Sequence, residues 1–409
     1  MGQRKLKKTI FTLNVDGYAP EITEFTYPLI KRYADKIGAD FYIIKERKFP
    51  KFPPVYEKMQ IYDLGRQMKN DWNIYIDSDA LVHPDMFDVT EFISKDTVCH
   101  NGNDMANIRW RYDDYFRRDG RHIGSCNWLT IASDWCLDLW HPLDIPYEEA
   151  LKNIFPIQNE LNTVITREHL IDDYMLSRNI ARFGLKFKRV DKIIEERGGG
   201  NYFWHQYTIN IKEKVELMKN ILATWEITDY KDPKIEGWTD LPELSWLYLM
   251  AKDMNCVAEI GAWKGRDAHA LASACKGKVY AIDNFQANPS DGYATVPERF
   301  LIPKVGDSPA VDVEKEFIKN TKDFSNVDLI RLDSITASEK FEDNSIDMVW
   351  IDASHDYDSV VKDVKAWLPK CKKLFCGHDY DHETVKKALF DCLLKPAIGP
   401  GRIWYVIKG

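Results

Sequence analysis

Both halves of the chain alternate short apolar runs with longer segments of helical spacing, and this alternation constrains the fold more than any other feature. In the first half the runs are Thr9–Leu13, Phe41–Ile44, Trp72–Ile76, Trp128–Ala132 and Phe187–Val190. In the second they are Val257–Ile260, Lys278–Ile282, Val327–Arg331, Asp347–Ile351, Lys373–Cys376 and Trp404–Ile407. Runs this short, separated by helices, predict an α/β fold built on largely parallel sheets. Such sheets present their ligand-binding loops at the carboxyl ends of the strands. The residue that closes each run is therefore where chemistry is expected.

The 409 residues give room for two such domains, since a domain takes roughly 100–200 residues. A turn-rich stretch over 225–245, with Asp229, Asp232, Pro233, Gly237, Asp240 and Pro242, separates them. Lys212–Leu222 before it and Leu241–Met254 after it have helical spacing. The expected domains are 1–227 and 228–409. The net charge of −8 disfavours nucleic-acid binding, which needs a clustered basic face to neutralise phosphates. No run approaches the ~18–20 apolar residues of a transmembrane segment, and Thr9–Val15 is too short and polar for a signal core. The eight cysteines include no C-x-x-C pair. They read as buried thiols in a reducing, cytoplasmic setting. Aromatic residues reach 13%, a content that serves sugar-stacking platforms or, more ordinarily, larger cores.

In the second half, Val257-Ala258-Glu259-Ile260-Gly261-Ala262-Trp263-Lys264-Gly265 reads as a buried strand, an acid, a glycine turn and a helix start. Gly261 and Gly265 are expected to let backbone approach a ligand. The next strand closes on Asp283, placed to accept ribose hydroxyls. Asp352 closes the strand Asp347–Ile351 and is followed by Ser354-His355-Asp356, and Leu374-Phe375-Cys376-Gly377 leads into His378-Asp379-Tyr380. In this order the motifs over about 235–409 resemble the class I S-adenosylmethionine-dependent methyltransferases, nearest to the small-molecule and sugar O-methyltransferases. The resemblance implies a Rossmann-like domain. In it Glu259, Gly261 and Gly265 would wrap the amino-acid end of S-adenosylmethionine, Asp283 would hold the ribose, and Asp333 and Ser334 would flank the adenine. It further implies that Asp352 and Asp379 hold a divalent ion, Mg²⁺ by its preference for oxygen ligands. Tyr380 stands where a further metal-binding carboxylate or amide is usual, with Asp381 or His378 as substitutes. His355 is the candidate base, because imidazole titrates near neutrality. The plain alternative for His355 and His378 is loop histidines that cap backbone groups.

In the first half, Trp72-Asn73-Ile74-Tyr75-Ile76 leads into Asp77-Ser78-Asp79 and then Ala80-Leu81-Val82. Alternate side chains of extended backbone face one way, so Asp77 and Asp79 converge. Two convergent carboxylates call for a cation, and a diphosphate supplies further oxygens for Mn²⁺ or Mg²⁺. Tyr56–Leu64 reads as a helix packed before this strand. The arrangement resembles the D-x-D element of glycosyltransferases of the GT-A fold, over about residues 8–222. The resemblance implies a nucleotide-sugar site that uses Leu13, Asn14 and Val15 for the base, Ser78 beside the two acids, and His205 to complete the metal shell. Lys58 is read as reaching a phosphate or as a solvated helix lysine, and His205 as ligand or structural histidine. Asp172 and Asp173 are candidate general bases toward the acceptor, or helix-start acids that complement the dipole. Asn127-Trp128 and Arg109-Trp110-Arg111-Tyr112 are stacking candidates.

Together these readings describe a glycan-building enzyme with two activities, one using a nucleotide-sugar donor and a glycan acceptor, the other methylating a sugar hydroxyl. The alternatives are a methyltransferase carrying a non-catalytic carbohydrate-binding module, and a scaffold of two degenerate enzyme folds.

Overall fold

The computed structural model describes residues 6–101, 128–158, 164–206, 210–286 and 312–408. The chain forms two compact units, Met1–Met218 and Lys219–Gly409.

Among the described residues the first unit has ten strands: β1 (Lys8–Leu13), β2 (Asp40–Ile44), β3 (Trp72–Ile76), β4 (Leu81–Val82), β5 (Thr97–His100), β6 (Leu129–Ser133), β7 (Ile157–Gln158), β8 (Val164–Ile165), β9 (Lys186–Arg189) and β10 (Phe203–Trp204). Six of them form a sheet in the order β2-β1-β3-β6-β5-β9. The first three run parallel, and β6 pairs antiparallel with both β3 and β5. The period of two sorts side chains to opposite faces. Phe11 and Tyr75 enter one core, with Trp140 and Tyr174, while Ile10, Ile74 and Ile76 enter the other, with Ile30 and Tyr33 of the helix Pro20–Ile37. Because β1 has β2 on one side and β3 on the other, the sheet reverses its winding between β1 and β3. A crevice opens outside the carboxyl ends of strands at such a switch. Asn14 and Asp77 follow those ends directly.

Two features depart from the sequence expectation. Tyr56–Leu64 is not one helix: Pro54–Gln60 is a buried 3-10 segment and an α-helix starts at Ile61. The Glu57 carboxylate accepts hydrogen bonds from the backbone N–H groups of Lys48 and Phe49, and from Arg47 and Gln60. These bonds pin the tighter turn. Strand β5, inside the sheet, was not among the apolar runs.

Among the described residues the second unit has seven strands: β11 (Cys256–Ile260), β12 (Lys278–Ile282), β13 (Val327–Ile330), β14 (Ile346–Ile351), β15 (Cys371–Gly377), β16 (Ala397–Ile398) and β17 (Trp404–Ile407). Their order is β13-β12-β11-β14-β15-β17-β16. Five are parallel, and β17 turns antiparallel against β15. The winding reverses between β11 and β14, which places the crevice beside Gly261 and Asp352. The helix Leu241–Ala251 starts on a capping box between Asp240 and Glu243. Among the described residues no helix is long and apolar enough to cross a membrane, and the seven described cysteines are all free.

Candidate functional site

In the second unit a cavity of about 980 Å³ opens at the switch point. The strand ends supply its polar lining: Gly261 after β11, Asp283 after β12, Asp333 and Ser334 after β13, Asp352 and His355 after β14, and His378 and Asp379 after β15. Asp283 accepts the backbone N–H of Trp263 at 2.8 Å and of Phe285 at 2.6 Å, which fixes both loops. Burial raises its pKa, and these N–H donors partly offset the rise. Asp333 caps the helix Ser334–Ser338 by accepting from Thr336 N–H. The Ser334 hydroxyl donates to Asp363 and accepts from Trp367 Nε1 at 2.8 Å.

Glu259 is fully buried, and its Oε2 has no hydrogen-bond partner among the described residues. Burial, then the charges of Asp267 and Asp352, pushes its pKa well up. Glu259 is not itself in the cavity wall, but Ile260 and Gly261, which follow it, are. An orphaned buried carboxylate oxygen at that strand end has the chemistry to receive a cationic amine, as the amino-acid end of S-adenosylmethionine carries. The two glycines have a different cause from the one expected. A Cβ on Gly261 would collide with the carbonyl of Asp352, so this glycine lets two strand ends meet. A Cβ on Gly265 would meet Thr321 Cγ2 at 3.0 Å and Phe317 at 3.1 Å, and Gly265 does not line the cavity.

The β14–β15 end of the cavity is a charged network. His355 Nε2 lies 2.7 Å from Asp379 Oδ2. The buried His378 places Nδ1 3.2 Å from Asp379 and 3.5 Å from Asp352, and Nε2 3.1 Å from the buried Glu243. Burial disfavours a charged imidazole here, yet the three carboxylates hold the His378 pKa far above its ordinary value. Arg402 sits 3.3 Å from Asp379 Oδ1. Burial would raise the Asp379 pKa, but His355 and His378 hold it well below the carboxylate range. Ligand atoms of Asp352, His378 and Asp379 lie within 4.8 Å of one another, as do those of Asp379, Asp381 and His382. Asp379 Oδ2 faces His355, and its Oδ1 faces His378 and Arg402. These ligand clusters could hold the expected Mg²⁺, and His378 and Arg402 stand where they would compete with an ion for Asp379.

In the first unit β4 pairs with β10, Leu81 opposite Trp204, and this carries His205 to the acids that precede β4. His205 Nε2 is 3.3 Å from Asp79 and 4.0 Å from Asp77. Trp128 stacks on its ring at 5.4 Å, nearly coplanar at 14°. Ligand atoms of Asp77, Asp79 and His205 lie within 4.8 Å of one another, a donor set that fits Mn²⁺ or Mg²⁺. Lys214 pairs with Asp79, the Tyr18 hydroxyl stands 3.4 Å from it, and Tyr75 donates to Asp77. The pKa values diverge. Burial pushes Asp77 up, assisted by the Asp79 charge. Burial also opposes ionisation of Asp79, but His205 and Lys214 hold it well down.

The remaining sequence candidates fall in several places. Lys58 is not a solvated lysine: it is fully buried, with Nζ 2.6 Å from Asp172 and 3.7 Å from Asp77. Asp172 is thereby ion-paired, and Asp173 beside it is fully buried. Leu13 and Val15 are buried, Leu13 in the core, and the Ser78 hydroxyl donates to the Leu13 carbonyl. Asn14 is half-buried. Residues 109–112 and Asn127 lie outside the described residues. Tyr18 belongs to the loop Asp16-Gly17-Tyr18, which the first-strand reading already placed at the nucleotide site; Lys214, Glu243 and Arg402 were missed, because each sits in no local motif.

Comparison with known proteins adds the following. Residues 258–380 match the model of a methyltransferase-domain family. No curated protein matches the chain. Among solved structures, a glycosyltransferase involved in glycosylation of the major capsid of PBCV-1 is 16% identical, with a TM-score of 0.32 over 52% of this chain and 98% of that one. A putative O-methyltransferase from Klebsiella pneumoniae is 12% identical, with a TM-score of 0.31 over 54% of this chain and 96% of that one. A methyltransferase from Geobacter sulfurreducens is 16% identical, with a TM-score of 0.29 over 41% and 79%. The matched segment begins inside β11 and ends just past β15, so the part of the chain that builds most of the cavity is similar to methyltransferase domains.

Proposed function

We propose that the chain is a two-site transferase. The second unit would transfer a methyl group from S-adenosylmethionine to a sugar hydroxyl. The first would transfer a sugar from a nucleotide-sugar donor to a glycan acceptor. The observation that carries the first of these is the cavity at the β11–β14 switch, with Gly261 and Asp283 in its wall and the orphaned Glu259 oxygen on the strand that leads to it.

Bound S-adenosylmethionine supplies an electrophilic methyl group. Glu259 receives the amine of its amino-acid end, and Asp283 the ribose hydroxyls. His355 directs Nε2–H at Asp379, which leaves Nδ1 as the basic nitrogen. His355 would take the acceptor's hydroxyl proton and Asp379 would stabilise the imidazolium that forms, while the cofactor would supply the methyl group by cleavage of its S–CH₃ bond and leave as S-adenosylhomocysteine. In the first unit Asp77, Asp79 and His205 would hold a divalent ion, which offsets the charge of a diphosphate leaving group when bound. Joining the sites in one chain raises the effective concentration of each product at the other site.

The test has two arms. Calorimetry with S-adenosylhomocysteine reads the methyl-donor site, and release of free sugar from a panel of nucleotide sugars, with Mn²⁺ and without, reads the other. No heat in the first arm overturns the methyltransferase assignment. A second reading makes the first unit a non-catalytic carbohydrate-binding module. The ion pair of Lys214 with Asp79 favours it, because a cation of the chain already holds one acid. Under that reading no nucleotide sugar is hydrolysed.

A further inference from the structure

Two tryptophans border the methyl-donor cavity. Trp238 lies outside the strand-end motifs, and 55% of its surface is open to solvent. Its ring lies against Trp263 with centroids 4.5 Å apart and planes tilted by 38°. Both residues line the cavity. Trp263 adopts a left-handed backbone, φ +40°, and its N–H is held by Asp283. A non-glycine residue in that region is held there by its surroundings. Trp263 follows β11, and Trp238 is tied to the β15 end of the cavity, because Arg402 donates to its carbonyl at 2.6 Å while the other guanidinium nitrogen faces Asp379. That is the end away from Asp333 and Ser334, where the adenine is expected.

An exposed indole next to charged and hydrogen-bonding groups has a definite chemical preference. A pyranose has a face of C–H groups that packs on an aromatic ring, and a rim of hydroxyls that needs polar partners. The rim here is supplied by Asp352, His355, Asp379, His382 and Arg402. A flat phenol would cover one indole but bring no rim of hydroxyls to this polar wall, whereas a pyranose brings both a C–H face and hydroxyls. We propose that Trp238, supported by Trp263, is the stacking shelf of the acceptor subsite and selects a pyranoside. This deepens the methyltransferase reading and rests on it.

The test uses the full chain loaded with S-adenosylhomocysteine, titrated by calorimetry with a panel of methyl pyranosides and, separately, with catechol. At least one pyranoside binds, and Trp238→Ala weakens it about tenfold, the size expected from loss of a stacking face. Trp238→Phe retains most of the affinity, and S-adenosylhomocysteine binds both variants as it binds the parent. The proposal is overturned if no pyranoside binds the loaded protein, if catechol binds in its place, or if Trp238→Ala leaves pyranoside affinity unchanged. It is also overturned if Trp238→Ala weakens S-adenosylhomocysteine equally, since the shelf would then belong to the donor. Failure of S-adenosylhomocysteine to bind the parent protein defeats the donor reading instead, and pyranoside titration of the unloaded parent and Trp238→Ala then decides the shelf by the same criteria.

Discussion

The ammonium of Lys58 stands 2.6 Å from Asp172 Oδ2 and 3.7 Å from Asp77 Oδ1, and it lies over the Tyr75 ring at 4.4 Å. Lys58 is fully buried and Asp172 nearly so. One cation therefore ties the strand end that carries Asp77 to the start of the helix Ile171–Phe183.

Removing one partner of such a pair leaves an uncompensated buried charge, which costs about 3–5 kcal/mol. Lys58→Met is expected to destabilise the first unit by that order, and Lys58→Met combined with Asp172→Leu to recover most of the loss. Hydrogen exchange at the β1 and β3 amides isolates the first unit from the second. Equal protection in the parent and Lys58→Met would show that the pair contributes nothing.

Asp79 is held by His205 and Lys214 and is one of the three groups proposed to hold the metal. Asp79→Ala is expected to abolish Mn²⁺ binding and donor hydrolysis while leaving S-adenosylhomocysteine affinity unchanged. Calorimetry with each ligand measures both effects on one preparation. Loss of both would contradict independent sites.

The sheets were legible because strand period and strand-end acids are local: Asp77, Asp283 and Asp352 each close an apolar run that the structure forms as a strand. Strand β5 was not legible, since four residues, Thr97 to His100, carry too little pattern. The partners of the acids were also hidden. Lys58 meets Asp172 across 114 positions and Lys214 meets Asp79 across 135, and no local spacing encodes such a meeting. Gly261 was legible as a required glycine but not in its cause, because the group it makes room for is the Asp352 carbonyl, contributed by another strand.

Asp363 gives a pH dependence. Burial first, then the charges of Asp356 and Asp333, lifts its carboxyl from 3.8 to about 6, against the opposing Ser334 hydroxyl. The folded state thus holds this proton more tightly than the unfolded one. The stability it contributes is full below the unfolded value and is lost as pH rises through about 6. A rise of that size corresponds to about 3 kcal/mol. Asp363→Asn cannot ionise and keeps an acceptor for Ser334. Its stability relative to the parent is expected to grow by up to that amount between about pH 4 and about pH 7. Urea unfolding at several pH values measures the difference, and parallel pH profiles would refute it.

Gly261 and Gly265 separate a ligand cradle from chain packing. Both have positive φ, +94° and +82°, so an alanine strains the backbone at either. Their surroundings differ. At Gly261 the added methyl meets the carbonyl of Asp352 and the backbone of Ala353, which are fixed by the β11–β14 pairing. At Gly265 it meets the ends of the Thr321 and Phe317 side chains, which can shift by a few tenths of an ångström. Gly261→Ala is therefore expected to cost more, because separating two paired strand ends also moves Asp352 within the cavity. The expected order of thermal stability is parent, then Gly265→Ala, then Gly261→Ala, with S-adenosylhomocysteine affinity falling in the same order. If Gly261→Ala were as stable as the parent and lost only ligand affinity, the glycine would serve the ligand and not the sheet.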